Sequence, residues 1–476
     1  MNKIKEKITF MLKKPELVFV IPAIIFGVIS AIVMPQLIAN DENMHFIRSY
    51  QLTELEVEHS CTIPVDIKER GFDAMYSEAG PDYSFSNKKI DQDNKIDTDC
   101  GTATSYNPLM HLPQSIGMAI AKVVWPTTGA MILLGRLMNV LFYSIGMYFI
   151  IRNAKIGKWL LVVIGLFPEM IHMSSSLSGD AVNNVIVLGF ITYMFNLYTQ
   201  TKKINKKQTI ILFVLVILLA TTKVPNLILL ALIPFLPKKI IPEIRINKIK
   251  LSSFASKVII VFAVGLVALG VLFSWSTLYN SPVIGDAHTA NNPVIEKPIR
   301  FVKIVYNTYI NPDNIFGGVS YSDWLIRGSV GSFSSFKYHL PFSVISMLFT
   351  LFLIVGLINN KKEYKLIKKT LKSLSLVATG TLVLIVLAIT YALYTAWSIQ
   401  ANGIGPDAQF AVGLQGRYFT AFFLLLLPLM IMIRKYINVN IKEGITTGLL
   451  IFIVSLFALS VYILQTFSYI QAAGLY

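Results

Sequence analysis

Apolar runs recur from one end of this chain to the other, separated by short polar segments. They fall near 17–39, 129–151, 159–174, 181–199, 208–221, 224–237, 256–278, 340–358, 374–397, 416–433 and 444–466. Most are long enough to cross a hydrocarbon core of about 30 Å. In lipid the open chain satisfies its backbone only as helix. The pattern therefore predicts an all-α integral membrane protein, a bundle of about 11 transmembrane helices forming one polytopic domain over residues 1–476. Two runs, 208–221 and 224–237, reach only about 20 Å each at about 1.5 Å per residue. They read as a tight helical hairpin with its apex at Thr221-Thr222-Lys223-Val224-Pro225. The alternative, one long helix kinked at Pro225, would put Lys238 to Lys250 on the opposite side from the other basic clusters.

Composition agrees with this class. The chain is 54% hydrophobic and 14% charged, against about 25% charged in soluble domains. A net charge of +16 suggests nucleic acid at first sight, but the Lys and Arg residues crowd into Lys3 to Lys14, Arg152 to Lys158, Lys202 to Lys207, Lys238 to Lys250, Lys361 to Lys372 and Arg434 to Lys442. That is the positive-inside pattern of cytoplasmic loops lying beside anionic lipid, and no nucleic-acid partner is read from it. It predicts a cytoplasmic N-terminus and an exterior C-terminus. The first run is too long for a signal-peptide core and no A-x-A site follows it, so it reads as an uncleaved anchor.

Acidic residues follow the opposite pattern, with fourteen of the 26 between Asp41 and Asp99. Exterior segments are expected at 40–128, 279–339 and 398–415, the first carrying amphipathic helices around His111 to Trp125 on the membrane surface. The two cysteines, Cys61 and Cys100, both lie in that first segment. An exterior loop permits a Cys61–Cys100 disulfide; two free thiols are the other reading.

Candidate chemistry gathers at the outer ends of the runs. Asp41-Glu42-x-x-His45-x-x-Arg48 directly follows the first run. On a helix, Asp41, His45 and Arg48 share one face. Asp41 or Glu42 there could take a proton from an acceptor hydroxyl as it attacks a sugar carbon, with His45 and Arg48 steering an anionic donor. An ordinary charged cap at a membrane-helix end is the plainer reading. Arg136, Lys223 and Arg417 (the last in Gln415-Gly416-Arg417-Tyr418-Phe419) are cations at or within apolar runs. Charge there is costly and commonly faces a cavity or a partner. Arg suits bidentate phosphate contact and Lys a point contact; snorkelling to headgroups is the alternative. Asp180 reads as a second acid or as a helix cap. No P-loop or dinucleotide motif is visible and no zinc spacing. Asp41, Glu42 and Asp180 have the oxygen chemistry for a divalent cation, but nothing fixes its geometry, so no metal or other cofactor is assigned.

Ordered motifs carry a resemblance. Pro35 with Asp41-Glu42-x-x-His45-x-x-Arg48 resembles the N-terminal signature of the bacterial family catalogued as domain of unknown function 2142. Tyr106-Asn107-Pro108 with His111-Leu112-Pro113, then Gly135-Arg136-Leu137-x-Asn139, Ser176-x-Ser178-x-Asp180, Lys223-Val224-Pro225 and Gln415-Gly416-Arg417-Tyr418-Phe419 follow in the same order. Gly328 to Pro341 looks like a degraded form of a Gly-Ser-Phe-rich loop. The family itself is similar to the GT-C superfamily of multi-pass glycosyltransferases. The resemblance implies a GT-C-like bundle, a polyprenyl-phosphate sugar donor and an acid just after the first helix. It also implies that Asp41 is the base with Glu42 beside it, and that Arg417 and Lys223 contact the phosphate. His45, Arg48, Arg136, Asp180 and Tyr418 complete the expected substrate-binding set.

Taken together, the expected activity is inverting glycosyl transfer at the outer face of the cytoplasmic membrane. The donor is a polyprenyl-phosphate sugar, and the acceptor is a cell-surface glycan or cell-wall polymer. Alternatives are a polymerase or ligase using a polyprenyl-diphosphate-linked glycan, or a flippase for lipid-linked sugar, which the broken hairpin would suit.

Overall fold

The computed structural model describes residues 2–55, 60–69, 89–99, 107–243, 245–246, 249–278, 294, 297–316, 319–334, 337–399, 404–405, 407–437, 439–441 and 444–475. It is mostly helical. In chain order the helices are α1 (Asn2–Leu12), α2 (Pro15–Val33), α3 (Glu42–Thr53), α4 (Val65–Glu69), α5 (Leu112–Val124) and α6 (Thr128–Asn153). Then come α7 (Lys158–Gly165), α8 (Pro168–Ser174), α9 (Asp180–Thr199), α10 (Lys206–Ala220) and α11 (Ser253–Leu278). The chain continues with α12 (Ile299–Tyr309), α13 (Tyr321–Gly328), α14 (Phe342–Leu357), α15 (Lys361–Ile367), α16 (Leu371–Leu393), α17 (Arg417–Ile433) and α18 (Ile445–Ala473).

Among the described residues six helices are long and apolar enough to cross a membrane: α2, α6, α9, α11, α16 and α18. The remaining apolar runs form shorter or broken helices. The run at 159–174 is divided because Pro168 opens α8 with no N–H to continue α7. At 416–433 the helix passes through a 3₁₀ turn at Ala421–Leu426. On α2, Ile21, Ile25, Ile29 and Ile32 point outward while Phe19, Ala23, Gly27, Ser30 and Ala31 face inward. An outward apolar stripe at helical spacing suits lipid contact.

The chain turns back at Thr221–Pro225. After α10 the strand-like step at Lys223 leads into a 3₁₀ helix, Val224–Leu232. At about 2.0 Å per residue it climbs further than an α-helix of equal length. The Ile204 N–H donates to the Ile240 carbonyl (2.8 Å), and the Tyr198 hydroxyl to the Leu232 carbonyl (2.8 Å). The two arms therefore begin and end side by side, which leaves Lys223 at the far tip.

Around the first polar segment, α3, α5 and α6 form a platform. Phe46, Ile47 and Tyr50 of α3 pack on Met118 and Ala121 of α5 and Met131 of α6. Gly117 lets α5 touch the α6 backbone, since a Cβ there would lie 2.2 Å from the Leu134 carbonyl oxygen. The opposite face of α5 exposes Leu112, Ile116, Ile120, Val123 and Val124. Strands β1 (Ser60–Pro64) and β2 (Lys95–Asp99) pair antiparallel beside it. Cys100 and the side chain of Cys61 lie outside the described residues, and with them the expected Cys61–Cys100 bridge.

Candidate functional site

Five separate lengths of chain supply one pocket at the tip of the hairpin. It is lined by Asp41, His45, Met110, His111, Gly179, Asp180, Lys223, Arg417 and Tyr418. A neighbouring, larger cavity shares Asp180, Lys223, Arg417 and Tyr418. It then continues between Pro225 and Asn226 on one side and Ile389, Ala392 and Leu393 of α16 on the other. The two cations thus stand where a polar chamber meets an apolar one.

Asp41 is the most open of the charged groups, with 57% of its side chain exposed. It precedes α3 in a left-handed conformation, φ 59°, and its side chain makes no cap hydrogen bond to that helix. Positive φ is uncommon outside Gly and is tolerated best by Asn and Asp. The turn points the carboxylate across the pocket, where Oδ2 lies 3.9 Å from the Arg417 guanidinium.

Asp180 binds both cations. Lys223 Nζ donates to Asp180 Oδ1 (2.6 Å), and Arg417 Nε lies 3.5 Å from Oδ2. Tyr418 lies beneath the pair, with Lys223 Nζ 4.5 Å and the Arg417 guanidinium carbon 5.4 Å from its ring centre. Such placements are attractive through the ring quadrupole. Two carboxylates and two cations balance in formal charge.

Glu42 does not share this pocket. Its carboxylate turns inward onto Arg136, with Nε to Oε1 at 2.8 Å and Nη2 to Oε2 at 2.6 Å. Both side chains are fully buried. The Leu177 N–H also donates to Oε1 (3.0 Å), while Arg136 donates to the carbonyls of Met34 and Pro35, each at 2.8 Å. Glu42, expected beside Asp41 as a second acid, and Arg136, expected to contact substrate, are thus placed against each other and not in the lining of the pocket. A closed bidentate pair that caps the carbonyl end of α2 has no face left for a ligand. Its work is to hold the turn before α3, and with it Asp41.

Arg48 is also displaced from the expected set. It is fully buried under α3, where Nη1 donates to Gln51 Oε1 (2.9 Å) and the guanidinium lies over Trp275 at 5.9 Å. One helical turn from His45, it is not among the residues that line the pocket.

The loop carrying Gly179 and Asp180 is fastened by amides. Asn139 Nδ2 donates to the carbonyls of Ser176 (2.8 Å) and Ser178 (3.1 Å), and Gln114 Nε2 to those of Leu177 (3.1 Å) and Ser178 (2.9 Å). Gly416 lies directly against α13. A Cβ there would come within 2.0 Å of the Leu325 carbonyl oxygen, so the residue before Arg417 has to be glycine. Glu169 and His172 lie deeper in the bundle, His172 Nδ1 2.9 Å from the Tyr462 hydroxyl. Phe333 of the 328–341 stretch packs on that same His172, ring centres 5.0 Å apart, rather than on the pocket.

His111 is a pocket residue that sequence reasoning did not single out. Its Nε2 lies 2.8 Å from His45 Nδ1. Burial is the main cause that lowers both imidazoles from their usual pKa. The His within Asn107-Pro108-x-x-His111-Leu112-Pro113, a stretch already noted for its resemblance, was the available signal.

Among the described residues no group of three or more His, Cys, Asp or Glu side chains has the geometry to hold a metal ion. No curated protein and no solved structure matches the chain significantly. A family described as predicted membrane protein (DUF2142) matches residues 24–427, a span that takes in both Asp41 and Arg417, and the chain belongs to that family.

Proposed function

We propose that this protein is an inverting glycosyltransferase that takes a sugar from a polyprenyl-phosphate donor at the outer face of the cytoplasmic membrane. One observation carries the reading. An exposed carboxylate, Asp41, faces Arg417 across a polar pocket, and the cations of that pocket also border a larger cavity with an apolar wall. A lipid phosphate needs that junction, with apolar room for the chain and positive charge for the headgroup. The fold that goes with it is a GT-C-like bundle crossing about eleven times, N-terminus cytoplasmic and C-terminus exterior. In it α5 lies on the membrane with its outward apolar face in the lipid.

The chemistry follows from the charges. The acceptor hydroxyl oxygen attacks the anomeric carbon, and the bond from that carbon to the phosphate oxygen breaks. The hydroxyl proton passes to the Asp41 carboxylate, and the polyprenyl phosphate leaves with one more negative charge than it brought. Negative charge therefore moves from Asp41 to the phosphate while the total in the pocket stays constant. Arg417, 3.9 Å from Asp41, is placed to exchange one anion for the other. A single displacement inverts the anomeric centre. Nucleotide sugars stay in the cytosol, so an exterior site needs a lipid-carried donor. The acceptor class proposed is a cell-surface glycan or cell-wall polymer.

The test is transfer by purified protein in lipid nanodiscs from a polyprenyl-phosphate sugar, alongside mass spectrometry of surface glycan from cells with and without the gene. Asp41→Asn should abolish transfer with insertion and melting temperature intact. Unaltered transfer would remove the base, and an unchanged surface glycan would remove the activity.

A further inference from the structure

Between Asp41 and the amide-fastened loop stands the histidine pair, and its hydrogen bonding is more restrictive than it first looks. We infer that His111 locks His45 into the tautomer carrying its proton on Nε2, which makes His45 a fixed N–H donor of the pocket rather than a base. For the ligand it would serve, an oxygen of the donor's phosphate, the inference rests on the proposed glycosyl transfer; for the tautomer it does not.

The argument starts from the single contact between the rings. His45 Nδ1 and His111 Nε2 are 2.8 Å apart, so one nitrogen carries the proton and the other accepts it. His111 is fully buried, and its other nitrogen, Nδ1, has no hydrogen-bond partner among the described residues. If His45 donated, neutral His111 would have to carry its proton on that buried, partnerless Nδ1. An orphaned buried N–H is rarer and costlier than an orphaned acceptor lone pair. The opposite assignment leaves only a bare lone pair at Nδ1. His111 Nε2–H therefore donates, His45 Nδ1 accepts, and the proton of neutral His45 lies on Nε2, across the ring from His111.

A doubly protonated pair would set two N–H groups against each other at this distance. Burial, together with Arg417 and Lys223 near His45 and Arg48 near His111, disfavours charge on either ring, against the opposing pull of Asp41 and Asp180. The consequence is a division of labour inside one pocket. His45 cannot take a proton through Nδ1, which is occupied, or through Nε2, which already holds one. Proton acceptance falls to Asp41, and His45 adds a neutral donor to the cationic ones. His111 is a positioning residue, acting only through the ring it orients.

Long-range proton–nitrogen NMR of full-length protein labelled on its six histidines, in nanodiscs without ligand, reads the tautomers directly. His45→Gln and His111→Gln assign the signals by their disappearance. The expected result is an unprotonated Nδ1 and a protonated Nε2 on both rings; a protonated His45 Nδ1 overturns the inference. Titration with farnesyl phosphate reads the donor role. His45→Ala and His111→Met should each weaken binding by about 10-fold, the worth of one hydrogen bond to a charged group. The amide variants His45→Gln and His111→Gln, which keep an N–H near the Nε2 position, should remain within about 2-fold of the parent. Equal affinity in all four variants overturns the donor role. A protein showing this tautomer yet transferring no sugar would sink the proposed activity and leave the histidine lock standing.

Discussion

Asn40 and Gln415 lie 375 positions apart and share a side-chain hydrogen bond of 2.8 Å, Asn40 Nδ2 donating to Gln415 Oε1. The contact joins the residue before Asp41 to the second residue before Arg417. The distance between acid and cation is therefore fixed by their neighbours as well as by their own weak attraction at 3.9 Å. Gln415→Leu should cost about 1 kcal/mol of stability and slow transfer more than it alters the KM for the donor. Thermal melting and steady-state kinetics on the same preparation separate the two effects. A raised KM with unchanged kcat would mean that the bond serves the binding of donor and not the placement of Asp41.

The two adjacent acids should behave in opposite ways. Asp41 is open to the pocket, so Asp41→Asn should fold normally and fail only in turnover. Glu42 is the buried partner of Arg136, and removing one member of such a pair strands the other charge at a cost of about 3–5 kcal/mol. Glu42→Ala should therefore show a depressed melting temperature and poor recovery from the membrane. An inactive Glu42→Ala protein that melts like the parent would return Glu42 to the catalytic set.

Much of this was legible in the sequence, because hydrocarbon imposes period and length on a chain. Asp41, His45, Asp180, Lys223 and Arg417 could be named as candidates from their positions at the ends of apolar runs and Tyr418 from the resemblance, and the structure brings all six to one pocket. The partition between Asp41 and Glu42 was not legible. Adjacent residues at the start of a helix differ in direction by about 100°, and which one meets Arg136 depends on the left-handed turn at Asp41. Arg136 itself reads as an intramembrane cation seeking a partner, and no local pattern points to one 94 positions earlier. His111 was obscured by the same limit: a pair of rings in contact across 66 positions has no local pattern.

Acid should destabilise the protein through the histidine pair. Both imidazoles have pKa values lowered from 6.5 by burial. The unfolded chain then takes up protons below about pH 6.5 that the folded chain refuses, so stability falls as pH drops from 6.5 toward the lowered values and levels off above it. The charges bearing on the pair are Asp41, Asp180, Arg417, Lys223 and Arg48. Melting temperatures of the parent and His111→Gln, followed from pH 7.5 to 5 (about one unit above to 1.5 below the ordinary imidazole value), test this. His111→Gln removes one of the two refused protons, so its curve should be flatter. Parent and His111→Gln curves of equal slope below pH 6.5 would contradict the neutral pair.

The larger cavity makes a prediction about chain length. Ala392 lies on α16 in its apolar wall, opposite Pro225, and takes no part in the polar pocket. Ala392→Phe should fill part of that cavity without disturbing Asp41, Lys223 or Arg417. If the cavity receives the isoprenoid, the substitution should raise KM by about 10-fold or more for a long polyprenyl donor, roughly the worth of losing two buried methylenes. A donor carrying a short alkyl chain should react nearly as with the parent, because its phosphate still meets both cations. Competition assays with long- and short-chain phosphates would give the same ranking for binding alone. Equal losses for both chain lengths would mean that the substitution disturbs the cations, and no loss for either would move the lipid to another face of the bundle.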